Sequence, residues 1–209
     1  MTTVFIAGSI NIKHLDPLVQ TRLMNVIAQD YQVLVGDADG ADSAIQQFLQ
    51  ENGASHVTVY CAGEQPRNNL GAWAVNPIKT YHAKGTRAFF TAKDLAMAEA
   101  ADHGLMIWDA KSTGTLTNVI ELLTRKKNAL VFINKDKAFH KVVTVADLEA
   151  LVARMADVSR LKADTKMGLN ERIETLRSRE LAAAILASRA AAGAVATPDT
   201  GQEAPALTH

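Results

Sequence analysis

Gly104-Leu105-Met106-Ile107-Trp108-Asp109-Ala110-Lys111-Ser112-Thr113-Gly114-Thr115 reads as a strand, a turn and the opening of a helix. The apolar run before Asp109 is short and unbroken, as in a strand buried on both faces. Leu116, Val119, Ile120 and Leu123 follow at offsets 0, 3, 4 and 7, the spacing of one helix face. The first N–H groups of a helix have no internal partner, and the helix dipole is positive there. Ser112, Thr113 and Thr115 add hydroxyl donors, and Gly114 leaves room for close approach to the backbone. The stretch therefore predicts a site for an anionic group at Ser112, Thr113, Gly114 and Thr115.

The same alternation extends in both directions. Val4–Ala7, Val33–Gly36, Val57–Cys61 and Ala129–Ile133 read as further buried strands. Asp16-Pro17 opens a helix with a cap and a proline at its first position, and Leu15, Leu18, Val19, Leu23, Val26 and Ile27 form a stripe at helical spacing. Ala44, Ile45, Phe48 and Leu49 give a second helix, ended by Gly53. Lys93–Ala101 reads as a third, small-residue helix. Ala62–Gly85 lacks periodicity and reads as a long excursion, with Thr86–Phe90 as a short strand after it. Strands alternating with helices predict an α/β fold, a Rossmann-like parallel sheet with helices on both faces. Ligands bind such sheets beyond the carboxyl ends of the strands, where the loops after Ala7, Gly36, Cys61 and Trp108 would converge.

Beyond Asn134 the pattern loosens. Val142–Thr144 is a candidate strand, and Thr144 and Asp147 stand at capping-box spacing ahead of Leu148, Leu151, Val152 and Met155. Residues 168–192 read as one more helix. The division is thus a nucleotide-binding domain at 1–135, a mainly helical C-terminal extension at 136–192, and a disordered tail at 193–209, poor in large apolar residues.

Composition limits the function classes. The chain has 209 residues, 48% hydrophobic, with 22 Lys+Arg against 22 Asp+Glu. With no broad basic field, the balance argues against a nucleic-acid partner. The single cysteine, Cys61, excludes intrachain disulfides and Cys-rich metal sites. The histidines show no ligand spacing, so no metal and no cofactor is expected. No segment has the ~18 apolar residues of a membrane span, and no leader-like stretch precedes Val4, so the expectation is a cytoplasmic protein without membrane contact. The last helix could pack on a second copy, giving a homodimer.

Gly36-Asp37-Ala38-Asp39-Gly40-Ala41-Asp42 places three carboxylates in six residues, without the Gly and Glu positions of an EF-hand. They would repel a phosphate but accept from sugar hydroxyls or a base amino group. Sugar or base is therefore expected here and phosphate at Ser112–Thr115. In the excursion, Arg67, Asn68, Asn69 and Trp73 could close over a base by stacking. Neither a P-loop nor a G-x-G-x-x-G occurs.

The order of these pieces resembles a family. Gly8-Ser9, then Gly36 to Asp42, then Lys93-Asp94-x-x-Met97 with Ala101-Asp102, then Asp109-x-x-Ser112-x-Gly114-Thr115, is similar to the SLOG superfamily of Rossmann-like domains. That group includes the LOG cytokinin-activating phosphoribohydrolases, the DprA/Smf DNA-processing proteins and the YpsA/YspA-related proteins. The likeness covers about residues 3–135 and is nearest the YspA-like branch. It implies a nucleotide or nucleotide-derived ligand touching Gly8, Ser9, Gly36, Asp37, Asp39, Gly40, Asp42, Lys93, Asp94, Asp109, Ser112, Thr113, Gly114 and Thr115. In the phosphoribohydrolases an Arg and a Glu cleave the N-glycosidic bond; the matching positions here are Lys93 and Asn118. Asn118 cannot exchange a proton as a carboxyl does. An N-glycosidase would therefore draw its catalytic carboxylates from Asp109 and Glu121. The leading expectation is nucleotide binding. The alternatives are that hydrolase, then single-stranded nucleic-acid binding of the DprA kind.

Overall fold

The structure, a computed structural model, describes residues 1–194. The tail expected from Gly193 lies, from residue 195 onward, outside the described residues. Among the described residues, seven strands and seven helices follow one another as β1 (Thr3–Gly8), α1 (Pro17–Ala28), β2 (Gln32–Gly36), α2 (Ala41–Glu51), β3 (Val57–Ala62), β4 (Ala74–Ile78), α3 (Arg87–Ala100), β5 (His103–Trp108), α4 (Thr113–Thr124), β6 (Asn128–Ile133), β7 (Ala138–Val142), α5 (Val145–Val152), α6 (Asp157–Met167) and α7 (Leu169–Ala194). They build a Rossmann-like α/β fold around one sheet of order β4-β3-β2-β1-β5-β6-β7. Its strand pairs are parallel except β6 with β7.

Period-2 alternation along each strand makes two cores. On β1, Phe5 and Ala7 face one side and Val4 and Ile6 the other. The second side is covered by Val19 and Leu23 of α1 and Ile45 and Leu49 of α2. The first is covered by Met97 of α3, Leu116 and Leu122 of α4, and then Leu148, Leu151, Ala163, Leu169 and Ile173 of α5, α6 and α7. The C-terminal helices thus share the apolar cluster that holds Trp108.

Four elements differ from the sequence reading, the first being the strand expected at Val142–Thr144: β7 runs Ala138–Val142, and Thr144 instead caps α5. Thr86–Phe90 is not a strand: the Thr86 hydroxyl accepts from the Phe89 N–H at 3.2 Å and starts α3, so a cap overrides the β preference of two aromatics. The excursion contains β4, a sheet-edge strand, where Pro77 can sit without orphaning a neighbour's carbonyl. Finally, α6 buries only Ala163, so it carries no apolar stripe by which to recognise it.

Chain direction across the sheet reverses between β1 and β5. Connections leave to opposite sides of these two strands, and a crevice opens beyond their carboxyl ends. Gly8 pairs with Ile107 there, and the Ser9 N–H donates to the Ile107 carbonyl at 2.9 Å.

Candidate functional site

The turn from β5 into α4 is held from three directions. The buried Trp108 indole N–H donates to the Ser112 carbonyl at 3.0 Å. Asp109 Oδ1 accepts from the Lys111 and Ser112 N–H groups at 3.0 and 2.7 Å. Its Oδ2 accepts from the Ser9 hydroxyl at 2.8 Å and the Asn11 amide at 3.0 Å. Burial alone would push the Asp109 carboxyl up; these donors hold it below the ordinary carboxylate value. Ser112 caps α4 through the Thr115 N–H. The N–H groups of Thr113 and Gly114 have no partner among the described residues, and the first turn of α4 carries no acidic residue. A Cβ on Gly114 would meet nothing within 4 Å, so the helix opens onto free space.

The acidic loop after β2 is organised around a buried cation. Lys93, 4% exposed, places Nζ 2.9 Å from Asp94, 3.7 Å from Asp42 and 3.9 Å from Asp37. Arg67 grips Asp37 with Nε and a terminal nitrogen at 3.0 and 2.8 Å. Burial raises the Asp42 carboxyl to about 6 against the pull of Lys93. Asp37 goes the other way: burial would raise it, but Arg67 and Lys93 hold it low. Burial would discharge Lys93, yet its three carboxylates keep it protonated. Gly36 is required by this cluster, since a Cβ there would stand 2.3 Å from Asp42 and 2.4 Å from Lys93. Gly40, at φ +78° with the Ile10 carbonyl 2.1 Å from any Cβ, locks the loop against the one after β1.

Turn and loop face one cavity of about 620 Å³, within the range of small-molecule sites. Of the residues expected at a ligand, Gly8, Asp42, Lys93, Asp94, Ser112, Thr113, Gly114 and Thr115 line it. Ser9, Gly36, Asp37, Asp39, Gly40 and Asp109 do not line it. Ser9 is fully buried, and Asp39 accepts from the Asn68 amide at 3.0 Å.

Three residues expected in catalysis or stacking are engaged elsewhere in the structure. Glu121 is outside the cavity, paired with Arg125 at 2.6 Å and Arg172 at 3.5 Å. Asp109 has both oxygens engaged in bracing two loops. Trp73 donates to the Ala54 carbonyl at 3.0 Å and, clasped by Asn69, anchors the excursion. The aromatic ring in the cavity is Phe90, with the Arg67 guanidinium 4.6 Å from its centre. The sequence had given Phe90 to a strand, which hid it.

Further residues line the cavity beside those expected at a ligand. Asn118, 5% exposed, lines the cavity one turn beyond Gly114, and its side-chain amide has no hydrogen-bond partner among the described residues. Lys111 joins from the turn. Ser159, Lys162 and Lys166 join from α6, at offsets 0, 3 and 7 on one face. That spacing was legible, but nothing marked α6 as adjacent to the turn.

The brace predicts a specific loss. Asp109→Ala removes an acceptor from four donors and should cost about 2 kcal/mol or more in urea unfolding. Asp109 is held below its ordinary value, so its contribution is complete above about pH 4 and fades as pH falls. The gap between variant and wild type should therefore narrow under acid; a gap unchanged down to about pH 3 contradicts the brace.

No protein-family profile matches this chain, and no curated protein matches it. Among solved structures, it is similar to DNA processing protein A from Helicobacter pylori, described for its single-stranded DNA binding mode. The identity is 17% over 62% of this chain and 64% of that one, with a TM-score of 0.48. The chain thus spans less than two thirds of that protein's length. That protein is described as binding single-stranded DNA, which stands against the expectation, drawn from charge, of no nucleic-acid partner. The even overall charge averages over the lysines gathered at the cavity.

Proposed function

We propose that this chain binds a phosphate-bearing nucleotide at the β1–β5 crevice. The phosphate rests on the Thr113 and Gly114 N–H groups, and the nucleoside lies toward Phe90 and Asp94. The observation that carries this reading is the pair of unpartnered amides at a helix start with no acidic first turn, open to a cavity. The Asn118 amide supplies a further donor and acceptor beside them. Within this reading residues 1–135 form the nucleotide domain and 136–192 an extension that adds the α6 wall. The likeness to the SLOG superfamily rests on the order of its turns, and the YspA-like branch on the Gly36–Asp42 loop. Glycosidic cleavage is left out of the proposal, because Glu121 and Asp109 are engaged elsewhere and Asn118 cannot move a proton.

Isothermal titration against the common ribonucleoside monophosphates, ADP-ribose and cyclic dinucleotides tests the reading. At least one should bind with saturable heat, and silence across the panel defeats it. A second reading, single-stranded nucleic acid, is favoured by Lys111, Lys162 and Lys166 gathered at one cavity. It requires anisotropy titrations of an oligothymidylate to weaken steeply with salt.

A further inference from the structure

We infer that the cavity holds a second anion subsite, built by α6, and that its ligand is a nucleoside diphosphate or a nucleotide with an equivalent pair of anionic groups. This rests on the nucleotide reading above and adds the class of ligand.

The cavity's charge is divided. Around the acidic loop two cations, Lys93 and Arg67, meet three carboxylates, Asp37, Asp42 and Asp94. That side has no positive charge to spare for a phosphate. The other side is formed by the α4 opening and by Lys111, Lys162 and Lys166. None of these three lysines forms a salt bridge among the described residues.

Lys162 and Lys166 are four apart on one helix face, where like charges repel and weaken the helix. An anion between them reverses that cost. The helix is held close to the turn: the Thr117 hydroxyl of α4 contacts Met167 Sδ at 3.6 Å, and Ala163 is fully buried. The Asn118 side chain, 5% exposed and without a hydrogen-bond partner among the described residues, lines the same cavity. One phosphate satisfies the Thr113 and Gly114 amides. A second anionic group is needed to answer the lysines of α6.

The test compares the mono- and diphosphates of adenosine, guanosine, cytidine and uridine by calorimetry. The proteins are wild type and the double variant Lys162→Gln/Lys166→Gln. Glutamine keeps helix propensity, and both side chains are exposed, so thermal unfolding serves as the control. For the best-bound base, wild type should bind the diphosphate about 10- to 100-fold more tightly than the monophosphate. The double variant should lose that advantage while its monophosphate affinity stays within about twofold. Equal affinity of wild type for both phosphates overturns the second subsite and leaves the nucleotide reading standing. So does an equal loss of both ligands in the variant. If the variant loses oligothymidylate binding but keeps the diphosphate preference, the lysines serve a strand backbone and the inference fails. No binding of any nucleotide defeats both readings together.

Discussion

Lys93→Met is expected to destabilise the fold by about 3–5 kcal/mol, the cost of leaving buried carboxylates without their cation. Methionine matches the lysine stem, so lost packing is small and the change is electrostatic. Asp37 keeps Arg67, but Asp42 and Asp94 lose their nearest cation. The pH dependence gives the sign. The Asp42 carboxyl is already raised, so its folded state favours the proton, an advantage complete below about pH 4 and lost as pH rises through about 6. Without Lys93 its pKa rises further, and acidification neutralises the orphaned charge. Chemical unfolding should show the largest gap between variant and wild type near pH 8 and a smaller one near pH 5. A gap that is small and flat across that range means Lys93 is no counter-charge.

Gly114→Glu should abolish nucleotide binding while leaving the fold as stable as before. The open space around Gly114 admits the side chain without a clash. A carboxylate in the first turn meets the positive end of the helix dipole, and Glu is a better helix former than Gly, so α4 gains. The same carboxylate occupies the ground assigned to the phosphate. At about 4 Å in a partly wet site, like charges repel by about 4 kcal/mol, which predicts a loss of affinity of about 100-fold or more. Calorimetry paired with thermal unfolding separates the effects. Undiminished binding removes the phosphate from the α4 opening; a collapse in melting temperature makes Gly114 a structural requirement instead.

The sheet was legible in the sequence because its physics is local. Short apolar runs such as Val33–Gly36 and Leu105–Trp108 admit few alternatives, and the helices between them carry regular stripes. The Ser112–Thr115 opening was legible for the same reason, since caps and free amides are properties of one segment. What escaped depends on distance along the chain. The carboxylates after β2 look available to a ligand in the sequence because their partner cation, Lys93, lies some fifty residues on. Asp109 looked free because Ser9 and Asn11, about a hundred residues earlier, gave no sign of reaching it. Phe90 was lost to β propensity when Thr86 started a helix. α6 was passed over because a helix with one buried alanine has no hydrophobic signature, although it supplies a wall of the cavity.

That slender attachment of α6 has a kinetic meaning. The element carrying the lysines is also among the least anchored in the fold, joined to the final helix through the left-handed Gly168. Were it to swing outward, the crevice would be uncovered, and every anion bridged to it would first have to let go. Residence time would then grow with the number of phosphates spanning the gap, so an occupant losing one phosphate would leave sooner than one that kept both.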